Sequence, residues 1–196
     1  MLFRSVAFSE LLPEIKIPVF EVVGPPSVQA AKITKNGRIG VIGTAATIKS
    51  GAYETALLRE NPELFVTAAE CPLLVPLVEN GRTDPDDIAV QTIVRDYLAP
   101  VLSDDIDTLI LGCTHYPLLR GVISRIAPDI TLVDSGAATA EFAAAKLREL
   151  ELLSGKSEPG EHRFYVTDST ESFEPLATLF LEDNISGSVY KTTLDA

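Results

Sequence analysis

Short runs of apolar and β-branched residues alternate with amphipathic segments along most of this chain of 196 residues. The runs predict strands at 17–23, 38–42, 64–68, 108–111 and 130–133. Helical patterns lie between them, and alternation of this kind is typical of βα units wound around a parallel sheet. The sequence therefore predicts an α/β fold built on a parallel sheet.

The segments between and after these runs carry helix and turn signals. Helices are predicted at 27–32, 50–60, 84–98, 118–126 and 137–153, with Ser27 as a cap of the first one. Residues 43–47 are predicted to be a loop, and Asn36 with Gly37 a turn. After a linker at 154–161, the tail is predicted to form a strand at 163–166, a helix at 171–181 and a strand at 188–191.

The charge and the cysteine content exclude several classes of partner and location. A net charge of -12 repels polyanions, so we expect neither nucleic acid nor an anionic membrane surface as a partner. No apolar run approaches the roughly 20 residues of a spanning helix, and the first residues lack a signal-peptide pattern. Two cysteines far apart in sequence do not form a disulfide framework. We therefore expect a cytoplasmic protein.

The strand predicted at 108–111 leads into a cluster of reactive side chains. Gly112 ends the strand, and Cys113, Thr114 and His115 follow without a gap. Ligands of open α/β sheets bind beyond the carboxyl ends of the strands, which places these three residues where a site is expected. A thiol beside an imidazole can be held as a thiolate, which is a base or a nucleophile. The alternative is a small packed Cys113 and a loop histidine.

A second strand end carries hydroxyl groups. Thr44 and Thr47 stand three residues apart in a glycine-bounded segment after the strand at 38–42, so their hydroxyls and nearby N–H groups could converge on a carboxylate. Segments of this type also serve simply as turns and caps. No His/Cys spacing suits a metal, and no Gly-x-Gly-x-x-Gly motif is present, so no metal or other cofactor is implied.

Four segments, in order, resemble motifs of one enzyme family. The run Gly112-Cys-Thr-His-Tyr-Pro-Leu-Leu119 resembles the second catalytic-cysteine motif of the glutamate racemases, which are cofactor-independent members of the aspartate/glutamate racemase superfamily. Ile42-Gly-Thr-Ala-Ala-Thr-Ile-Lys-Ser50 with Tyr53 resembles the glycine-threonine loop of that family. Cys71-Pro-Leu-Leu-Val-Pro-Leu-Val-Glu-Asn-Gly81 resembles its acidic segment. Asp134-Ser-Gly136 resembles a turn after a later strand, and we expect it to form a turn and a helix cap.

The resemblance implies a reaction and a set of site residues. The expected reaction is the interconversion of L- and D-glutamate for peptidoglycan synthesis by two acid–base groups on opposite faces of the substrate, without a cofactor. The catalytic residues would be Cys113, His115 and Glu79. Thr44, Thr47, Thr114 and His115 would contact glutamate. The alternative for Glu79 is a solvated residue at the end of a helix. A homodimer is a further possibility for the assembly.

One motif of the family is not found. Its first catalytic cysteine opens a Cys-Asn-Thr-Ala-Ser sequence shortly before a helix and an Ile-Pro-Val strand. Here Ile17-Pro-Val19 is present, and a helix that ends near Ile15 is predicted before it. Ser5 takes the place of the serine, but Met1-Leu-Phe-Arg4 replaces the other four residues. We therefore expect 1–22 to be a remnant of a first domain, 23–134 an intact second α/β domain, and 135–196 a helix and tail that return to the first.

This departure leaves several expectations about activity. A chain with Cys113 on one face and no evident base on the other is expected to have little or no racemase activity. Cys71 is the only other thiol, and it is expected to be a packed residue at a turn rather than the second base. A catalytically silent remnant that binds a dicarboxylate is the alternative from another class. A racemase of aspartate or hydantoins is a third, which the His-Tyr-Pro-Leu-Leu run disfavours.

Overall fold

The computed structural model describes residues 15–156, 160–181 and 187–193. The chain divides between Leu153 and Ser154 into two units, at the start of the predicted linker. The helix expected before Ile17, together with Ser5 and residues 1–4, lies outside the described residues.

The first unit contains four strands and seven α-helices among the residues described. The strands are β1 (Arg38–Gly43), β2 (Phe65–Glu70), β3 (Thr108–Leu111) and β4 (Thr131–Asp134). The helices are α1 (Gly24–Ile33), α2 (Ala45–Lys49), α3 (Ala52–Glu60), α4 (Leu74–Glu79), α5 (Ile88–Leu102), α6 (Arg120–Ile126) and α7 (Ser135–Glu149), and a 3₁₀ turn at Tyr116–Leu119 precedes α6.

All four strands are parallel, in the order β2-β1-β3-β4. The chain passes from β1 outward to β2, then returns across β1 to add β3 and β4 on the other side. The strand order therefore reverses between β1 and β3, and crevices at such points bind ligands in open α/β sheets. The predicted α/β class with a parallel sheet is confirmed.

The core lies on both faces of the sheet. On one face, fully buried side chains of β1 pack with helices α1 and α3 in a cluster whose members include Ala30, Ile39, Val41, Leu57 and Ile110. Side chains alternate along a strand, so Gly40 faces the other way. A Cβ built on Gly40 would lie 3.7 Å from Val101 Cβ, which shows that α5 covers that second face.

Asp107 lies just before β3, at the amino-terminal ends of the parallel strands, and its hydrogen bonds hold the neighbouring turn in place. Its carboxylate accepts hydrogen bonds from Thr34 Oγ1 at 2.7 Å and from the backbone N–H groups of Lys35 and Asn36 at 2.6 and 2.8 Å. Burial acts to raise the pKa of Asp107, but the hydrogen bonds from Thr34, Asn36, Thr108 and Lys35 together lower it. The turn between α1 and β1 is thereby tied to the start of β3.

The segment between Ile17 and Val23 is not a strand, although its residue types predicted one. A strand needs a neighbour for its backbone hydrogen bonds, and no described strand pairs with it. The following helix begins at Gly24, with prolines in its first turn, so Ser27 lies inside it and is not its cap. Ser27 Oγ instead donates to Val23 O at 2.7 Å.

Other predicted boundaries also move. The segment predicted to be a loop at 43–47 contains the start of α2, because Thr44 caps a short helix there. The helix predicted at 84–98 begins at Ile88, since the Asp87 carboxylate accepts from the N–H groups of Ala89 and Val90 and caps it. The helix predicted at 137–153 begins at Ser135, capped in the same way by Asp134, and ends at Glu149.

The second unit follows the predicted tail. It contains β5 (Phe164–Val166), α8 (Thr170–Leu181) and β6 (Val189–Lys191), and the two strands pair in parallel. In the parts of both units that the structure describes, no helix is long and apolar enough to cross a bilayer.

Candidate active site

The carboxyl ends of the four strands in the first unit place several of the predicted residues at one edge of the sheet. Thr44 follows β1, Cys71 follows β2, and Cys113 follows β3 after a single glycine. The Gly112 N–H donates to Ile42 O at 2.8 Å and extends the β1–β3 pairing by one residue. The segments after β1 and β3 therefore run side by side at the point where the strand order reverses.

Cys113, His115 and Glu79 form a series of a thiol, an imidazole and a carboxylate. Cys113 Sγ lies 3.9 Å from His115 Nδ1, and His115 Nε2 lies 3.3 Å from Glu79 Oε1. Thr114 Oγ1 is 3.3 Å from the same Nδ1. The structure thus brings together the predicted catalytic trio, with the predicted Thr114 beside it.

Backbone hydrogen bonds fix the turn that carries this series. Tyr116 N–H donates to Cys113 O at 3.1 Å, and Leu118 N–H donates to His115 O at 3.2 Å. The buried Tyr116 hydroxyl donates to Cys71 O at 2.9 Å. Cys71 lies three residues before the start of α4, and Glu79 is the last residue of that helix. This bond therefore ties the turn at Cys113 to α4.

Solvent reaches the three groups unequally. The His115 side chain is 19% exposed and that of Glu79 is 48% exposed, while Cys113 is half-buried. A thiol beside an imidazole can pass its proton to the ring nitrogen and act as a thiolate, which is a base and a nucleophile. The arrangement can therefore exchange a proton with a substrate carbon or attack an electrophile.

The two threonines after β1 point their hydroxyls together. Thr44 Oγ1 and Thr47 Oγ1 lie 3.0 Å apart, and Thr47 N–H donates to Thr44 Oγ1 at 3.4 Å. Thr44 is thus a helix cap, as one interpretation of the sequence held, and both side chains remain partly exposed at the sheet edge. They offer hydroxyl donors next to the Cys113 segment.

Cys71 has a different environment from that of Cys113. Its side chain is 0% exposed, and its thiol donates to Ala69 O at 3.7 Å. Burial raises the pKa of Cys71 to about 12, although a backbone hydrogen bond with Gly43 acts in the opposite direction. A thiol of this kind is protonated at neutral pH, which agrees with its expected role as a packed residue.

Sequence reasoning missed a buried pair of hydroxyls beneath the site. Tyr53 Oη lies 3.0 Å from Ser135 Oγ, and Ser135 Oγ donates to Leu111 O at 2.6 Å. Asp134, Ser135 and Gly136 were predicted to be a turn and cap, and Asp134 is indeed the cap. No periodicity links Tyr53 to Ser135, so only the fold reveals their contact.

Metal binding has no support in the part of the chain that the structure describes, where no group of three or more His, Cys, Asp or Glu side chains could hold an ion.

Comparison with protein families gives a match over most of the chain. The model of the Asp/Glu/Hydantoin racemase family matches residues 4–143. The glutamate racemase of Geobacter metallireducens is 44% identical over 193 residues, a stretch that covers 98% of this chain and 70% of that protein. The chain spans about two thirds of the length of such curated relatives.

Solved structures give the same picture. The glutamate racemase isoform RacE1 of Bacillus anthracis has a TM-score of 0.89 with 39% identity, over 97% of this chain and 70% of that one. The glutamate racemase of Francisella tularensis in complex with D-glutamate has a TM-score of 0.85 with 31% identity, over 95% of this chain and 69% of that one.

Proposed function

Because the chain belongs to the Asp/Glu/Hydantoin racemase family, we propose that it supplies one proton-transfer face and substrate contacts of a cofactor-independent glutamate racemase. The observation that carries this proposal is the series of Cys113, His115 and Glu79 at the point where the strand order reverses. A base with a proton partner at such a crevice suits removal of a proton from a bound amino acid.

The proposed reaction begins with Cys113 as a thiolate. It removes the α-proton of glutamate, the electrons of the C–H bond remain on Cα as a carbanion, and the thiolate becomes a thiol. Return of a proton to the opposite face of Cα gives the other enantiomer and needs an acid on that side. Hydrogen bonds to the substrate carboxylate would stabilise the carbanion in the absence of a cofactor.

The substrate is an anion, whereas the chain carries a net charge of -12. Local donors must therefore hold its carboxylates against the overall field. Thr44, Thr47 and Thr114 offer hydroxyl groups at the edge where Cys113 lies, and we assign them to glutamate. Threonine hydroxyls that donate to a carboxylate form charge-assisted bonds, which are stronger than neutral ones.

The cellular role and the organisation form part of the same proposal. The product D-glutamate would enter peptidoglycan synthesis in the cytoplasm, and the enzyme would work as a homodimer or as a single protomer. Residues 23–134 would form the second domain of the racemase fold, with 1–22 and 135–196 assigned to the first. Support comes from the glutamate racemases that match nearly the whole chain.

The chain alone should racemise glutamate negligibly. Its two cysteines are Cys113 and Cys71, and the second is fully buried, so its thiol is not available to deliver the second proton to a bound substrate. Loss of one proton-transfer partner costs about 10²- to 10⁴-fold in rate. The test is circular dichroism of L-glutamate incubated with the purified protein. Robust racemisation would contradict the assignment and point to Cys71 or another group as the second base.

Binding of glutamate separates this proposal from another racemase specificity. Calorimetry should show binding of glutamate in preference to aspartate, and Thr47→Val should weaken it by roughly tenfold through loss of one charge-assisted hydrogen bond. Thr92→Val on the exposed face of α5 is the matched control, because the Thr92 hydroxyl donates to Ile88 O within its own helix. Preference for aspartate would contradict the glutamate assignment.

A further inference from the structure

Tyr53 lies beneath the segment that carries the proposed base. We propose that Tyr53 is a positioning residue for Cys113, which it fixes through its ring against Gly112 and through its hydroxyl, by way of Ser135, on the backbone carbonyl of Leu111. The relevance to catalysis rests on the proposed function of Cys113, whereas the structural claim does not.

The ring makes the first contact. A Cβ built on Gly112 would lie 3.0 Å from Tyr53 Cε2 and 2.9 Å from Ile42 O, both closer than side-chain atoms normally approach. The Tyr53 ring and the β1 backbone therefore both lie against the side of Gly112 on which a side chain would project. A side chain at this position would displace the ring or the strand, so the close approach of Tyr53 to the residue before Cys113 requires glycine.

The hydroxyl of Tyr53 makes the second contact, with the hydroxyl of Ser135. Which of the two donates follows from where the proton of Ser135 goes. Ser135 has one hydroxyl proton, which it donates to Leu111 O at 2.6 Å. The oxygen of Ser135 is then an acceptor for the Tyr53 hydroxyl at 3.0 Å. Val22 O, at 3.4 Å from the Tyr53 hydroxyl, is a longer alternative acceptor. The chain of donors therefore runs from Tyr53 to Ser135 to Leu111.

This chain joins three elements at the end of β3. Tyr53 lies in α3, Ser135 begins α7 directly after β4, and Leu111 is the last residue of β3, two positions before Cys113. Tyr53 and Ser135 are both buried, so water competes little for these bonds. Fixing the Leu111 carbonyl and Gly112 sets the direction in which the chain leaves the strand, and hence the distance between Cys113 and His115.

Tyr53 acts here as a neutral donor and not as a base. Burial raises its pKa to about 12, and the negative charges of Glu21 and Cys113 act in the same direction, although the hydrogen bond with Ser135 opposes them. At neutral pH the phenol therefore keeps its proton, and its contribution to the site is geometric.

The test measures alkylation of Cys113 by iodoacetamide as a function of pH in Tyr53→Phe, Ser135→Ala and the double variant. Tyr53→Phe keeps the ring and removes the hydroxyl. We expect it to slow alkylation at neutral pH by about threefold and to move the pH profile of alkylation to higher pH. The reason is that a looser turn lets His115 move away from the sulfur, so that the imidazole stabilises the thiolate less. Tyr165→Phe in the second unit is the matched control and should leave the profile unchanged.

The double variant shows whether the two hydroxyls act in series. If Tyr53 acts through Ser135, the double variant should have the profile of Ser135→Ala alone. Additive shifts, or a profile of Tyr53→Phe that overlays the unaltered protein, would overturn the proposal. A lowered melting temperature with an unmoved profile would also overturn it, since the contacts would then serve packing alone.

Two features keep the result decisive. If Tyr53→Phe does not fold, an unmoved profile in Ser135→Ala overturns the proposal and a profile moved to higher pH supports it. The readout is thiol reactivity, so a failure to bind or process glutamate would contradict the proposed function without affecting this test. An unmoved profile would contradict only the positioning role.

Discussion

His115 Nε2 lies 3.3 Å from Glu79 Oε1, which joins the turn after β3 to the end of α4 across the candidate site. The opposite ring nitrogen faces the sulfur of Cys113 at 3.9 Å. The carboxylate and the thiol therefore lie against opposite nitrogens of one ring, so Glu79 can orient the imidazole towards the sulfur. Since the Glu79 side chain is 48% exposed, solvent screens much of this interaction.

Glu79→Gln tests that relationship, because the substitution keeps the shape of the side chain and removes its charge. We expect alkylation of Cys113 at neutral pH to slow by roughly two- to fivefold, the range of a partly screened ion pair. The exposed Glu63, changed to Gln, is the control and should leave the rate as it is. An unchanged rate in Glu79→Gln would show that the carboxylate does not influence the thiol.

The two cysteines should differ strongly in reactivity. Cys113 is half-buried beside His115, whereas Cys71 is fully buried and burial raises its pKa to about 12. At neutral pH we expect iodoacetamide to modify Cys113 first and Cys71 only after unfolding. Mass spectrometry of the peptides after limited labelling measures this. Preferential modification of Cys71 in the folded protein would contradict the assignment of Cys113 as the reactive thiol.

Asp107→Asn should reduce stability in a pH-dependent manner. The native carboxylate accepts several hydrogen bonds at the start of β3, from Thr34, Lys35 and Asn36 among others. The amide replaces one acceptor oxygen by a donor, so we expect a loss of about 1 to 2 kcal/mol in the free energy of unfolding at neutral pH. Urea unfolding measures it, with Asp96→Asn on the exposed face of α5 as control.

The sign of the pH effect follows from the lowered pKa of Asp107. A carboxyl whose pKa is lower in the folded than in the unfolded chain contributes stability above its unfolded pKa, near about 4. That contribution is lost as the pH falls through the folded value. The difference in the free energy of unfolding between the native protein and Asp107→Asn should therefore become smaller below about pH 4. A constant difference down to strongly acidic pH would contradict this account.

Local sequence patterns predicted the centre of the fold well. The apolar run Thr108–Leu111 predicted β3 because a strand covered on both faces has no polar side, and the glycine after it placed Cys113 at the strand end. The position of Glu79 near His115 came from the resemblance to a family, since its own neighbours suit a solvated helix end equally well.

Long-range contacts were the part that sequence patterns could not supply. The residues at 17–23 have the composition of a strand, but composition does not tell whether a neighbouring strand is present. Thr44 caps the helix that contains Thr47, and that helix is too short to show apolar periodicity. The pairing of Tyr53 with Ser135 joins two hydroxyls far apart in the chain, and nothing in either local segment indicates the other.

The central claim is that Cys113 removes the α-proton from one face of glutamate. A single base should therefore exchange that proton with solvent in one enantiomer and leave the other almost untouched, because only one presents its α-proton to the sulfur in a fixed pose. In exchange, the thiol trades the removed proton for one from solvent and delivers that one to the same face of Cα, so the configuration is retained.

The most direct test is proton NMR of L-glutamate and of D-glutamate incubated separately with the protein in deuterium oxide. We predict slow loss of the α-proton signal for one enantiomer without inversion, its abolition in Cys113→Ser, and its retention in Cys71→Ala. Exchange that persists in Cys113→Ser, or that proceeds equally in both enantiomers, would contradict the claim.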